Sequence, residues 1–251
     1  MKQTPLGLTI DNAGLRYPNV NQAILDKLSM QIPAGQWTCL LGRSGSGKTS
    51  LLRYLAGLLD SNVEWQGNVI CSDGLALQQR IAYMAQQDLL LPWLSVVDNV
   101  CLSYRFNKQK ITPEVTEKAL ALLDQVGLLA VRHALPQTLS GGMRQRVALA
   151  RTLMQDKPFI LMDEPFSALD AVTRHKLQQL SYTLLKDKTV ILITHDPQEA
   201  VRLAGRLYIL TGRPAQAEHI ALPISRPPRD IDADSALVQQ RIFHLLEQDY
   251  A

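Results

Sequence analysis

The sequence predicts an α/β fold on a mainly parallel sheet, interrupted by a helical insert, and three observations carry that prediction. Short apolar runs of strand type alternate with segments of helical spacing early and late in the chain. Three consecutive helical segments, with no strand between them, fill the middle. A glycine-rich loop, Gly42 to Thr49, joins a buried run to a helix.

Residues 8–15 and 27–32 read as strands around the loop Tyr17-Pro18-Asn19-Val20-Asn21, and Pro33-Ala34-Gly35 turns the chain into the buried strand Trp37-Thr38-Cys39-Leu40-Leu41. From Lys48 to Leu59, Leu51, Leu52, Leu55, Leu58 and Leu59 recur at helical spacing. Short strands near 64–70 and 80–84 precede helices at 95–105, 114–126 and 140–155, which Pro92, Pro113 and Pro136 punctuate. Strands at 159–162, 190–193 and 207–210 then alternate with helices at 171–186 and 197–204, the pattern of a parallel sheet covered on both faces. Proline and charge rise after residue 213, and a short amphipathic helix near 235–248 ends the chain.

The 251 residues, 46% of them hydrophobic and 20% charged, suffice for a large core. The 26 basic and 23 acidic residues leave a net charge of +3, too small and too evenly spread for a nucleic-acid groove, so no nucleic-acid partner is expected. Cys39, Cys71 and Cys101 lack CxxC spacing, which supports neither a disulfide framework nor a zinc site and suits a reducing compartment. Met1-Lys2-Gln3-Thr4-Pro5 does not open a signal peptide. The greasiest stretch, Ala119 to Val131, is interrupted by Asp124, Gln125 and Gly127 and falls short of the ~20 apolar residues that span a bilayer. A cytoplasmic chain, peripheral to any membrane, is expected.

Gly42-Arg43-Ser44-Gly45-Ser46-Gly47-Lys48-Thr49 matches GxxxxGK[ST] in the required strand-to-helix context. Such a loop curls backbone N–H groups around phosphate oxygens, while the helix N-terminus and Lys48 supply positive potential and Thr49 offers a hydroxyl to magnesium. A second buried strand ends in Asp163 and Glu164, at the sheet edge where ligands bind in open α/β folds. Asp163 is then the magnesium-side carboxylate and Glu164 the group that polarises an attacking water. Leu139-Ser140-Gly141-Gly142-Met143 opens a helix with serine at the cap and two glycines that leave its amides uncovered, a second anion-seeking helix start. One phosphate loop and one such helix in a single chain suggest that the two act on different nucleotides across a dimer.

In this order, the motifs resemble those of the ATP-binding subunits of ABC transporters, over about residues 8–212. The phosphate loop at 42–49, the signature at 139–143, the acidic strand at 159–164, Ser167-Ala168-Leu169-Asp170 and His195 in Ile193-Thr194-His195-Asp196 all take part. The resemblance implies a P-loop NTPase core with an N-terminal antiparallel β-subdomain and a helical insert at about 87–155. It also implies an ATP-binding domain over 5–215 and a short C-terminal extension over 216–251. It implies that ATP and magnesium bind at residues 42–49 with Ser50, that Tyr17 stacks on adenine, and that Gln86 touches magnesium and reports to a membrane partner. By the same resemblance His195 contacts the γ-phosphate, Ser140, Gly141 and Gly142 reach the partner's nucleotide, and Asp170 lies at the dimer seam.

Met143, Arg43 and Ala85 depart from the commonest family residues, and none removes a phosphate ligand. Leu90-Leu91-Pro92-Trp93 and Gly141 to Arg146 look like the importer group serving nitrate, sulfonates, taurine and thiamin-pyrimidine precursors. The expected function is an ATPase, a homodimer or paired subunit, that powers a membrane permease fed by a solute-binding protein at the inner face of the cell membrane. The alternative, a soluble ATPase of the same family acting on nucleic acid or ribosomes, would carry a long coiled-coil insert or two cassettes. The segment between Gln86 and Leu139 is too short for the former, and a single phosphate loop speaks against the latter.

Overall fold

The computed structural model describes residues 4–18 and 20–250, which divide into two compact units. The first comprises the chain up to Ile81, Pro158–Glu164 and the chain from Leu185 onward; the second comprises Ala82–Lys157 and Pro165–Leu184.

The first unit opens with β1 (Leu8–Arg16) and β2 (Leu25–Ile32), followed by β3 (Trp37–Gly42), α1 (Lys48–Leu55) and β4 (Glu64–Cys71). β1 pairs antiparallel with both β2 and β4, giving the antiparallel β-subdomain that the resemblance implies. Its strands alternate buried and exposed residues, as befits a sheet with one wet face. β5 (Ile81–Met84) leads into the second unit, where α2 (Val96–Val100), α3 (Leu102–Phe106), α4 (Pro113–Gln125) and α5 (Gly141–Met154) follow. β6 (Phe159–Asp163) returns to the first unit, α6 (Ala171–Leu184) belongs to the second, and β7 (Thr189–Ile193), α7 (Pro197–Leu203), β8 (Arg206–Thr211), β9 (Gln216–Ile220) and α8 (Ala233–Tyr250) complete the first.

Within the first unit the strand order is β6-β7-β3-β8-β9. β3 pairs in parallel with β7 and β8, and β6 with β7. Every residue of β3, β6 and β7 is buried, which explains why these strands read as unbroken apolar runs rather than as alternating ones. The parallel register brings Gly42, Asp163 and Ile193 to the same carboxyl edge of the sheet.

Three elements differ from the sequence reading. The helix expected over 48–59 stops at Leu55, because Gly57 turns to φ +68° and the Leu58 amide donates back to Arg53 O at 2.8 Å, a left-handed glycine stop. The helix expected over 95–105 divides at Cys101 into α2 and α3. β9 was not foreseen: it pairs antiparallel with β8 at the sheet edge, and Ile220 is its one fully buried side chain, so it shows no apolar alternation.

Candidate functional site

β3 ends at Gly42 and α1 begins at Lys48, so the glycine-rich loop sits at the carboxyl edge of the sheet. Gly47 caps α1 at φ +90°, and a side chain there would come within 2.5 Å of Ile24 Cγ2. It also offers no capping oxygen, and α1 has no acidic residue in its first turn, which leaves the first amides of the helix available to an anion. Lys48 is 7% exposed, and its Nζ donates to Gly42 O and Arg43 O, both at 2.7 Å, and to Ser46 Oγ at 3.4 Å. Burial pulls the Lys48 pKa below the usual lysine value, while the carboxylates of Glu164 and Asp163 oppose that fall. The Tyr17 hydroxyl lies 3.1 Å from Ser50 Oγ, which places that ring beside the start of α1.

Two carboxylates follow from β6. Asp163, buried at the end of the strand, accepts from Thr49 Oγ1 at 3.1 Å. Glu164 leaves the strand at φ +48°, a left-handed conformation that non-glycine residues seldom adopt and that recurs at functional sites. Its amide donates to Ile193 O at 3.0 Å, and its Oε2 lies 2.9 Å from His195 Nδ1, just beyond β7. Gly42, Arg43, Ser44, Gly45, Gly47, Lys48, Thr49, Ser50, Glu164 and His195 line one cavity of about 560 Å³, with Ile24 and Leu246. Among the described residues no group of three or more His, Cys, Asp or Glu is poised to hold a metal ion. The neighbouring oxygens of Thr49 and Asp163 suit a hard cation that takes its remaining ligands from phosphate and water, as magnesium does.

The second unit gathers the other expected residues. Ser140 caps α5, its Oγ accepting from Met143 N at 3.2 Å. A side chain at Gly142 would approach Thr173 Cγ2 to 2.7 Å, so this glycine lets α5 pack against the start of α6, beside Leu169. Asp170 caps that start by accepting from Thr173 N at 3.0 Å, and the bond holds its carboxyl pKa below the usual range. Gln86 O accepts from Gln145 Nε2 of α5 at 3.1 Å, and Asp88 pairs with Arg144 of α5 at 2.9 Å. Trp93 stands 71% exposed and Leu89 58%, so Trp93 presents itself to solvent rather than plugging a local core.

Two buried polar side chains escaped sequence reasoning. Asn99, wholly buried, accepts from Leu91 N at 2.8 Å and donates to the carbonyls of Leu91, Leu94 and Ser95, thereby fixing the loop that presents Trp93. Asp249, in the last turn of α8, pairs with Arg43 of the phosphate loop at 3.2 Å. No local pattern announces either, although an asparagine among apolar residues at 96–102 is a fair signal of a buried hydrogen-bonding post.

The family pattern described as ABC transporter matches residues 25–167. An ABC transporter ATP-binding protein of Haemophilus influenzae, uncharacterised, is 44% identical over 90% of this chain and 93% of its own length. The aliphatic sulfonates import ATP-binding protein SsuB 1 of Xanthomonas axonopodis pv. citri is 39% identical over 96% and 95%, and that of Paracoccus denitrificans 40% over 84% of each. A solved chain from a metal-chelate type ABC transporter in an inward-facing conformation superposes with a TM-score of 0.73 at 26% identity, over 85% of this chain and 83% of that one. The chain belongs to the ABC transporter family as an ATP-binding protein, an ATPase coupled to transport.

Proposed function

We propose that this chain is the ATPase of a bacterial importer, pairing head-to-tail with a second copy or a similar subunit around two MgATP molecules. The observation that carries the reading is the convergence of Lys48, Thr49 and the Glu164–His195 pair on one cavity, with Asp163 accepting from Thr49 behind it. Residues 42–50 hold the phosphates and Tyr17 stacks on adenine. Thr49, Asp163 and Gln86 would hold magnesium, which would supply charge neutralisation to the phosphates. Ser140, Gly141 and Gly142 of one subunit complete the site around the other subunit's nucleotide, with Asp170 at the seam between them.

For hydrolysis, Glu164 accepts a proton as its water attacks the γ-phosphorus, and the bond to the bridging oxygen breaks to leave ADP and inorganic phosphate. His195, positioned on Glu164 Oε2, reaches the γ-phosphate. ATP works on the permease through its preference for the closed pair over the open one, and hydrolysis removes that preference. Residues 5–215 form the ATP-binding domain, with the helical insert at 87–155 carrying the permease contact and 216–251 an extension. No helix among the described residues is long and apolar enough to cross a membrane. The subunit docks from the cytoplasmic face on a membrane permease, as importer ATP-binding subunits of this family do. The names of the sulfonate relatives point to a small organic anion, delivered by a solute-binding protein and selected by the permease.

Glu164→Gln tests the assignment, since it keeps the shape and removes the proton acceptor. The variant is expected to bind MgATP, release no phosphate, and elute as a dimer on gel filtration with MgATP. Phosphate release near the parent rate would remove Glu164 from this role.

A further inference from the structure

α8 stands outside the family motifs, yet its inward stripe of Ser235, Ile242, Leu246 and Asp249 follows helical spacing and ends on the phosphate loop. Ile242 is wholly buried and anchors the helix. Beyond it, Leu246 lines the same cavity as Lys48, Thr49 and Glu164. One turn further, Asp249 makes one ion pair and two hydrogen bonds. Its Oδ2 faces Arg43 Nε at 3.2 Å, its backbone carbonyl accepts from an Arg43 terminal nitrogen at 3.0 Å, and its Oδ1 accepts from Gly212 N at 2.6 Å.

The Arg43 and Asp249 side chains are only 9% and 7% exposed, so this is a buried charge pair rather than a surface one. Gly212 follows β8, which lies beside β3 with Leu210 opposite Gly42. Asp249 thus ties the first variable residue of the phosphate loop to the neighbouring strand's exit. The Arg43 carbonyl is in turn one of the acceptors that hold the Lys48 ammonium.

We propose that α8 is a working part of the nucleotide site: Asp249 is a positioning residue that sets the phosphate loop through Arg43, and Leu246 supplies an apolar wall of the nucleotide cavity. Arg43 therefore serves the loop's geometry with its side chain, and its guanidinium is committed to Asp249 rather than to phosphate. This rests on the reading of the cavity as the ATP site. Because the paired groups are buried, removing the carboxylate leaves the guanidinium without its counter-charge, and the loop must rearrange to satisfy it.

The test measures MgATP affinity, and the KM and kcat of hydrolysis, for the full chain and for Asp249→Ala, Asp249→Glu, Arg43→Gln and Leu246→Ala. Arg241→Ala is the control, since it removes α8's exposed pair with Glu218, 3.9 Å away, without touching the loop. Asp249→Ala and Arg43→Gln are expected to raise Kd and KM for MgATP about tenfold, the scale of one charge-assisted hydrogen bond, with kcat within about twofold. Asp249→Glu should recover most of that loss, Leu246→Ala should raise Kd several-fold, and Arg241→Ala should change neither constant.

A purely structural helix would instead lower the melting temperature in Asp249→Ala and leave KM unmoved, which would overturn the proposal. So would an equal rise of KM in Arg241→Ala. Should Asp249→Ala not fold, Arg43→Gln carries the same decision, because it empties the pair from the loop side. A parent chain that bound no MgATP would overturn the reading of the site itself, whereas a binding parent with unaffected Asp249 and Arg43 variants would overturn the role of α8 alone.

Discussion

Lys48→Ala probes the phosphate loop most simply, and its size follows from what the ammonium touches. Nζ is held by two carbonyl oxygens at 2.7 Å, so ATP binding would exchange acceptors instead of creating bonds from nothing. Attraction to one phosphate charge about 4 Å away contributes about 4 kcal/mol at an effective dielectric of ~20. The two carbonyl bonds surrendered offset about 2 kcal/mol of it. The remainder, about 2 kcal/mol, corresponds to a roughly 30-fold weaker Kd for MgATP. Calorimetric titration of parent and variant measures it directly. Without nucleotide the variant also leaves the Gly42 and Arg43 carbonyls without this partner, so its melting point should fall by about 4–8 °C for a loss of about 2 kcal/mol. A Kd within about threefold of the parent would refute the reasoning, since no other lysine among the described residues lines the cavity.

Trp93→Ala should change the melting point little, because a 71%-exposed side chain carries less than about 0.5 kcal/mol of stability, yet it should abolish copurification with the permease and transport. A variant that still assembles and transports would relocate the docking surface. Gly142→Ala should lower stability by about 1–3 kcal/mol by driving a methyl into Thr173 Cγ2, and Thr173→Ser, which deletes that carbon, should restore most of it in a double-mutant melt. Additive losses in the double variant would mean that the two helices do not meet there as described.

Much of this was legible because the informative residues are local. Parallel strands buried on both faces must be apolar throughout, so β3, β6 and β7 stand out, and the residues that end or follow them, Gly42 to Thr49, Glu164 and His195, mark the carboxyl edge of the sheet in the sequence itself. Ser140 could be read as a cap from the glycines behind it, and the bond to Met143 N agrees. Long-range pairings were not legible. Arg43 and Asp249 lie 206 positions apart, and nothing in either neighbourhood names the other. The grip of Gln145 on the Gln86 carbonyl, 59 positions away, is equally silent in sequence. β9 escaped because an edge strand with one buried side chain has no periodicity to display. Trp93 needed the structure to decide between a core plug and a presented side chain, and its exposure follows from Asn99 holding the loop's backbone.

The central claim is that each ATP site is shared between two copies of the chain, and mixing two inactive variants tests it most directly. Ser140→Arg blocks the capped start of α5, while Lys48→Ala disables the phosphate loop. In a mixed pair, one composite site then carries both lesions and the other carries neither. Phosphate release from each variant alone, and from the two combined with MgATP, is the measurement. The account predicts that both variants are inactive alone and that activity returns on mixing. Two inactive variants that form a mixed pair and never recover activity would contradict it, because each chain would then be using its own Ser140.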